Sequence, residues 1–140
     1  MNQQETDTYY LEIAKAVSKR STCCYGNLGC VIVDKDDNII SASCLEDKSG
    51  VLDCRSCGYC SSSARTGTKI SFGTPEHCDY MFPEVNAILT ADRVRLQGAT
   101  LYLLIEDLKG RAVTPKLEQT VLKVIRSAGI QRIVLQDKES

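Results

Sequence analysis

Gly98-Ala99-Thr100-Leu101-Tyr102-Leu103-Leu104-Ile105 is the stretch that decides the fold class of this 140-residue chain. From Ala99 onward it is almost entirely apolar, which predicts a strand buried on both faces of a sheet. Pro115 then opens a predicted helix, and the run from Ile130 to Leu135 predicts a last strand. A strand, a helix and a strand in succession require parallel neighbours. We therefore expect a mixed sheet with helices on both faces.

The N-terminal half predicts a helix followed by a β-hairpin. Apolar residues recur at helical spacing from Thr6 to Lys19. The runs Gly29 to Val33 and Ile39 to Cys44 flank a polar turn and read as paired strands. A second helix starts at Pro83, and its expected buried positions are Val85, Ile88 and Leu89; those of the helix after Pro115 are Leu117, Val121, Val124 and Ile125. The predicted order is α-β-β-α-β-α-β in one α/β domain spanning residues 1–140.

Composition excludes several classes of function. Lys and Arg number 17 and Asp and Glu 18, so the net charge is −1. The chain therefore lacks the positive charge that attracts a polyanion, and no obligate nucleic-acid partner is expected. No apolar run approaches the roughly 20 residues of a membrane helix, so no membrane is expected. The start of the chain lacks the basic and apolar regions of a secretory signal. We expect a cytoplasmic protein.

A cysteine-rich insert lies at about residues 45–79, where all periodicity is lost. Its Cys54-x-x-Cys57-x-x-Cys60 run and the nearby His77-Cys78 pair provide thiolates at a spacing that can close round one metal. We expect a structural zinc site. Its ligands would be Cys54, Cys57, Cys60 and Cys78, with His77, Cys23 and Cys24 as alternates. An iron–sulfur cluster, a dithiol redox pair and free thiols are the alternatives.

Two further cysteines lie on the predicted hairpin strands. Cys30 and Cys44 are most simply small buried hydrophobic residues.

Several strings together resemble the deoxycytidylate deaminases of the zinc-dependent cytidine deaminase superfamily. The resemblance covers nearly the whole chain, and it implies a three-layer α-β-α fold with a mixed central sheet. Each string alone is weak, but all occur in the family's order. They are Lys19-Arg20-Ser21-Thr22-Cys23, Leu28-Gly29-Cys30-Val31-Ile32-Val33, Pro83-Glu84-Val85-Asn86-Ala87-Ile88, Gly98-Ala99-Thr100-Leu101-Tyr102 and Ala128-Gly129-Ile130-Gln131-Arg132-Ile133-Val134.

The resemblance also shows where the chain departs from the family. These enzymes hold a catalytic zinc with one His and two Cys, and a Glu moves the proton. Phe82 stands at the His position, and Glu118 and Val121 stand at the Cys positions, whereas Glu84 matches the proton shuttle. The sugar-contacting Asn of the family's G-Y-N-G string has no counterpart in Ser43-Cys44-Leu45-Glu46. The catalytic zinc ligands are therefore expected to be missing.

The candidate site residues follow from the same match. Glu84 would be the proton shuttle in an active enzyme, although an acid in the first turn of a helix also stabilises it without any chemistry. Asn86 and Tyr25 are candidates for contact with a pyrimidine nucleotide. The resemblance further implies a homo-oligomer.

Three functions remain open. The chain is a deaminase-fold protein that is catalytically silent or repurposed, or an active deaminase of deoxycytidylate or a related aminopyrimidine nucleotide whose metal comes from the cysteine insert. The third hypothesis is a metal- or redox-responsive binding module. Metal content and turnover distinguish the three.

Overall fold

The computed structural model describes residues 1–23, 25–45, 82–114 and 117–136. Within these residues the chain forms one five-stranded sheet and four helices. The elements are α1 (Gln3–Ser18), β1 (Gly26–Val33), β2 (Ile39–Cys44), α2 (Pro83–Thr90), α3 (Arg93–Leu96), β3 (Thr100–Asp107), β4 (Ala112–Val113), α4 (Gln119–Ser127) and β5 (Arg132–Leu135).

The sheet is mixed, as the sequence predicts. β1 pairs antiparallel with β2 on one edge and along its whole length with β3 on the other. The second edge of β3 is shared, because β5 pairs parallel with Thr100 to Leu103 and β4 pairs antiparallel with Ile105 and Glu106. The parallel β3–β5 pair is the expected result of a strand–helix–strand connection.

The two faces of the sheet are covered by different helices. Alternate side chains of a strand point to opposite faces. Val31 and Val33 of β1 pack with Tyr10 and Ala14 of α1. The intervening positions face the other helices and form the larger apolar cluster, whose buried members include Leu28, Cys30, Ile32, Leu101, Leu103, Ile105, Ala87, Val121 and Ile125. This arrangement confirms the predicted three layers.

A glycine allows α1 to lie directly on the sheet. A Cβ atom built on Gly29 would fall inside the contact distance of the Ala14 carbonyl group in α1. Only glycine lets two backbones approach so closely. This contact explains why the glycine of the Leu28 to Val33 string occupies the strand position that faces α1.

Several boundaries differ from the predictions. α1 begins at Gln3 rather than Thr6, because the side chain of Asn2 caps the helix by accepting a hydrogen bond from the Glu5 amide at 2.8 Å. β1 begins at Gly26 rather than Gly29. The helix predicted from Pro115 runs from Gln119 to Ser127, and Pro115 lies outside the described residues. α3 and β4 are short additions to the predicted order.

One predicted core position is wrong. The sequence predicts Leu89 on the buried face of α2, but its side chain is 68% exposed. Pro83, Glu84 and Ala87 are the buried residues of this helix instead. The face of α2 that packs on the sheet therefore includes a carboxyl group. Cys30 and Cys44 are both buried, as predicted.

Candidate functional site at the start of α2

The first turn of α2 brings Glu84 against the sheet. Pro83 occupies the start of the helix, where its fixed φ angle is compatible with helical geometry and no amide hydrogen is needed. Phe82 occupies the N-cap position and provides no side-chain cap. The Asn86 amide donates a hydrogen bond to the Phe82 carbonyl at 2.9 Å, which closes the first turn. The helix thereby holds Glu84 on the side that faces β1.

Glu84 is a buried acid with an altered titration. The residue is only 5% exposed, and this burial raises the pKa of its carboxyl group above the ordinary value of 4.5. Its own backbone amide opposes this shift only in part. A raised pKa keeps the carboxyl group neutral up to a higher pH than in an exposed glutamate, and the neutral acid both donates and accepts hydrogen bonds.

Cys30 of β1 is the titratable neighbour of Glu84. Its thiol is completely buried, and burial raises the thiol pKa well above its usual value; negative charge on Glu84 adds to the effect. A thiol in such surroundings stays protonated and behaves as a small apolar group. The structure therefore assigns Cys30 to the wall of the site rather than to nucleophilic chemistry.

Hydrogen bonds fix α2 to β2. The side-chain amide of Asn86 donates to the Ser43 hydroxyl at 3.0 Å. The Ser41 hydroxyl donates to the Ala87 carbonyl at 2.6 Å and lies 2.8 Å from the Thr90 hydroxyl. These contacts hold the helix at two successive turns. The amide of Asn86 is thus engaged by a neighbouring strand, while its side-chain oxygen accepts no hydrogen bond from the described residues.

Ser21 organises the opposite side of the site and was not singled out in the sequence. Its hydroxyl donates to the Leu28 carbonyl at 3.1 Å and accepts from the amides of Leu28 and Leu45 at 3.1 and 3.3 Å. The Thr22 amide donates to the Leu45 carbonyl at 2.9 Å. One buried hydroxyl therefore joins the start of β1 to the end of β2. The signal was available in the Arg20-Ser21-Thr22-Cys23 string, but only the meeting of the two strands shows its purpose.

The remaining candidates lie near this junction or outside the described residues. Cys23 is buried, and its sulfur accepts a hydrogen bond from the Tyr25 amide at 3.4 Å. Tyr25 is half-buried just before β1. The other metal-ligand candidates, Cys24, Cys54, Cys57, Cys60, His77 and Cys78, lie outside the described residues. Within the described ranges, no three His, Cys, Asp or Glu residues are placed to hold a metal ion.

The three positions that the resemblance matches to zinc ligands have apolar or peripheral surroundings. Val121 lies in the first turn of α4, is 2% exposed and belongs to the same apolar cluster as Cys30. Phe82 packs against that cluster from the start of α2. Leu45, which follows β2, packs against the same cluster. Glu118 is the N-cap residue of α4 and makes no side-chain capping hydrogen bond.

The sequence is similar to known deaminases along its whole length. Residues 4–136 match the family model of the cytidine and deoxycytidylate deaminase zinc-binding region. The chain is 31% identical over 134 residues to a deoxycytidylate deaminase of Mycobacterium phage D29, covering 96% of both chains. It is 30% identical over 99 residues to a deoxycytidylate deaminase of Schizosaccharomyces pombe, covering 69% of this chain and 29% of that one.

Solved structures share the fold at lower identity. The dCMP deaminase of cyanophage S-TIM5, in complex with dCMP and dUMP, is 18% identical with a TM-score of 0.65, covering 96% of this chain and 82% of that one. Acinetobacter baumannii RibD, form 2, is 22% identical with a TM-score of 0.54, and this chain spans 28% of its length against 96% of its own. Within the described residues no helix is long and apolar enough to cross a membrane. The sheet, the buried Glu84 and the full-length match agree, and the chain belongs to the cytidine and deoxycytidylate deaminase family.

Proposed function

We propose that this protein is a deoxycytidylate deaminase-like protein whose catalytic centre is silent or repurposed, and that it binds a pyrimidine nucleotide without deaminating it. The observation that carries the proposal is the packing of Val121 and Phe82 against the apolar cluster beside Glu84. Hydrocarbon occupies positions that match metal ligands in the family.

The residues at those positions do not suit a zinc ion. Zinc in proteins is held by thiolate, imidazole or carboxylate groups. The side chains of Val121 and Phe82 provide no lone pair for a metal. The carboxylate of Glu118 alone provides too few ligands for a zinc site. Burying Val121 also stabilises the fold by roughly 1.5–3 kcal/mol, which a thiolate in the same place would not do. On this proposal, no catalytic zinc is bound at these positions.

Glu84 remains suited to a nucleobase. As a buried acid with a raised pKa, it can donate one hydrogen bond and accept another at the edge of a pyrimidine ring. The dCMP deaminase of cyanophage S-TIM5 has been captured with dCMP and dUMP. We extend pyrimidine nucleotide binding to this chain, with the unengaged side-chain oxygen of Asn86 and the half-buried Tyr25 as further candidate contacts.

The cysteine insert is proposed to hold a structural metal. The spacing of Cys54, Cys57 and Cys60, with Cys78 further along, supports zinc, and an iron–sulfur cluster is the alternative. His77, Cys23 and Cys24 are the alternate ligands. The family's description as a zinc-binding region supports zinc in general terms.

Metal content and turnover test the two parts of this proposal. Protein purified anaerobically without chelator is assayed for bound metals, for its visible spectrum and for dCMP deamination. We expect about one zinc per chain, lost in Cys57→Ser and kept in the neighbouring control Ser56→Ala, and no turnover. Titration calorimetry with dCMP and dUMP should show binding that Glu84→Ala abolishes. Metal-dependent turnover would refute silence, and the absence of nucleotide binding would refute the ligand.

The second candidate is an active deaminase whose metal is held by different ligands from those of the family. Two observations favour it: Glu84 is retained in a buried position with a raised pKa, and the identity with the phage D29 deoxycytidylate deaminase runs along the whole chain. On this hypothesis the cysteine insert supplies the metal. Turnover of dCMP would then require both Glu84 and the insert thiols, so Glu84→Gln and Cys57→Ser would each abolish it.

A homo-oligomer is proposed from the family resemblance. Sedimentation velocity of the wild-type chain over a range of concentrations tests it, and a single species of monomer mass throughout would contradict it.

A further inference from the structure

Within the described residues, β2 separates from β1 before β1 reaches its own end. The pairing between the two strands stops at Gly29 and Cys44, so the next pair in the same register would be Leu28 with Leu45. β1 itself continues to Gly26 and stays paired with β3 along that whole length. One rung of the β1–β2 ladder is therefore missing at the end of β1 that borders the candidate site.

Ser21 and Thr22 take the place of the missing rung. Two residues that form a hydrogen-bonded pair in an antiparallel sheet exchange their amide and carbonyl groups with each other. Here the Ser21 hydroxyl donates to the carbonyl of Leu28 and accepts from its amide, both at 3.1 Å. The Leu45 amide donates to the same hydroxyl at 3.3 Å, and the Leu45 carbonyl accepts from the Thr22 amide at 2.9 Å. All four backbone groups are thus satisfied without a direct bond between the strands.

The Ser21 hydroxyl has no capacity left for a ligand. A hydroxyl group donates one hydrogen bond and accepts two, and Ser21 uses all of them on backbone groups of β1 and of the residue after β2. The residue is also only 3% exposed. Ser21 therefore acts on the site through the segments that it holds and does not touch a bound molecule.

The held segments belong to the wall of the candidate site. Leu28 and Cys30 lie on the same face of β1 and in the same apolar cluster. Cys30 is close enough to Glu84 for the two groups to interact electrostatically. Leu45 packs against the same cluster from the β2 side. The separation between β1 and β2 is therefore a dimension of the space beside Glu84.

We propose that Ser21 is the positioning residue of the nucleotide site. By holding Leu28 and Leu45 apart, it fixes the wall beside Glu84, and it anchors the segment that leads to Tyr25, which is half-buried just before β1. Without the hydroxyl, the strands would either pair directly and narrow the site or leave buried backbone groups unsatisfied. This inference rests on the pyrimidine nucleotide binding proposed above and names the residue that shapes its site.

Substitutions at Ser21 test this role by separating nucleotide binding from stability. Ser21→Ala removes the hydroxyl, whereas Ser21→Thr keeps it. Ser18→Ala is the matched control, because Ser18 is equally buried but its hydroxyl donates to the Lys15 carbonyl of its own helix at 2.6 Å. Titration calorimetry with dCMP and dUMP measures binding under conditions in which urea unfolding shows each protein to be folded. Amide hydrogen exchange reports on the Leu28 and Leu45 amides.

The expected results distinguish the hydroxyl of Ser21 from buried serine hydroxyls in general. Ser21→Ala should weaken nucleotide binding at least about tenfold, because a site works only when its wall is held in place, and should change the exchange of both amides. Ser18→Ala should leave binding unchanged, and Ser21→Thr should recover most of the binding. If Ser21→Ala does not fold, Ser21→Cys takes its place, since a thiol keeps the size but is a weak donor and acceptor.

Three results would overturn the positioning role while wild-type binding stands. They are unaltered binding by Ser21→Ala, equal losses of binding in Ser21→Ala and Ser18→Ala, and a Ser21→Thr variant that binds no better than Ser21→Ala. A wild-type chain that binds neither nucleotide would refute the proposed function, and this inference with it. The wild-type titration therefore tells the two failures apart.

Discussion

Asn86 and Ser43 are joined by a hydrogen bond of 3.0 Å between the side-chain amide of the first and the hydroxyl of the second. Asn86 lies in the turn of α2 that carries Glu84, and Ser43 lies in the strand beneath it and is 3% exposed. The bond is therefore one of the direct polar links between the candidate acid's helix and the sheet, beside those from Ser41.

Removing either partner should destabilise the protein, and removing both should cost less than the sum. Ser43→Ala and Asn86→Ala are each expected to lower the free energy of unfolding by about 1 kcal/mol, since a net hydrogen bond contributes about that much. The double variant should show a coupling energy of at least about 0.5 kcal/mol in urea unfolding. Ser127→Ala, at an exposed position near the end of α4, serves as the control. Strict additivity would show that the bond contributes nothing.

Gly29 should not tolerate a side chain. The added methyl group of Gly29→Ala would meet the Ala14 carbonyl of α1, which is backbone and cannot rotate away. We expect a loss of at least about 3 kcal/mol, or failure to fold, because overpacking against backbone displaces the whole helix. Gly110→Ala is the matched control: its φ of +80° is strained for alanine, but no atom of the described residues lies within 4 Å of the added methyl group. It should cost about 1 kcal/mol. Equal losses in thermal or urea unfolding would contradict the close approach of α1.

The long apolar elements can be predicted because a buried element has a continuous or periodic pattern of apolar residues in the sequence. The run from Ala99 to Ile105 and the later strand–helix–strand order predict the centre of the sheet, and the structure confirms both. α3 and β4 are too short for any period to be visible. The early start of α1 has a local signal in Asn2, an N-cap residue type directly before the helix.

The site was predictable only in part. Glu84 was found through the family string, whereas its burial against Cys30 contradicts the usual rule that carboxylates face water. The wrong prediction for Leu89 has the same cause. The hydrophobic pattern assigns apolar residues to the buried face of α2, so it cannot predict that Glu84 occupies that face. The string around Ser21 marks the residue, but its role depends on contacts with two strands that are distant along the chain, which the string alone does not describe.

Arg132 should control the titration of Asp7. The guanidinium donates to both carboxylate oxygens of Asp7 at 2.9 and 3.3 Å, and the Tyr102 hydroxyl donates to one of them at 2.8 Å. The hydrogen bonds from Arg132 are the main cause that lowers the pKa of Asp7 below its ordinary 3.8. In Arg132→Gln we expect that pKa to rise towards the ordinary value, as followed by carboxyl carbon chemical shifts.

The same pair sets a pH window for stability. A lowered pKa stabilises the fold above the unfolded value near 3.8, and that contribution disappears as pH falls through the folded value. The loss in Arg132→Gln should be no more than about 1 kcal/mol at neutral pH, since the pair is partly exposed, and should vanish in acid. Arg95→Gln, at an exposed cation of α3, is the control. An unchanged Asp7 titration would show that the ion pair does not form in solution.

Replacing Glu84 by Gln should stabilise the protein, and increasingly so as pH rises. The pKa of Glu84 is raised by burial, so below the unfolded value near 4.5 the acid is neutral in both states and Glu84→Gln changes little. Above that value the unfolded chain ionises while the buried acid resists, and wild-type stability falls until the folded pKa is passed. The difference should grow by no more than about 1.4 kcal/mol per pH unit, the limit for one proton.

Urea unfolding of both proteins between about pH 4 and pH 8 measures this difference, with Glu12→Gln on the exposed side of α1 as the control. A stabilisation that is independent of pH would mean that Glu84 titrates as an ordinary exposed acid. A destabilisation at neutral pH would mean that a partner of opposite charge keeps the carboxylate ionised in the folded protein. The sign of this difference therefore shows whether burial or such a partner controls the titration of Glu84.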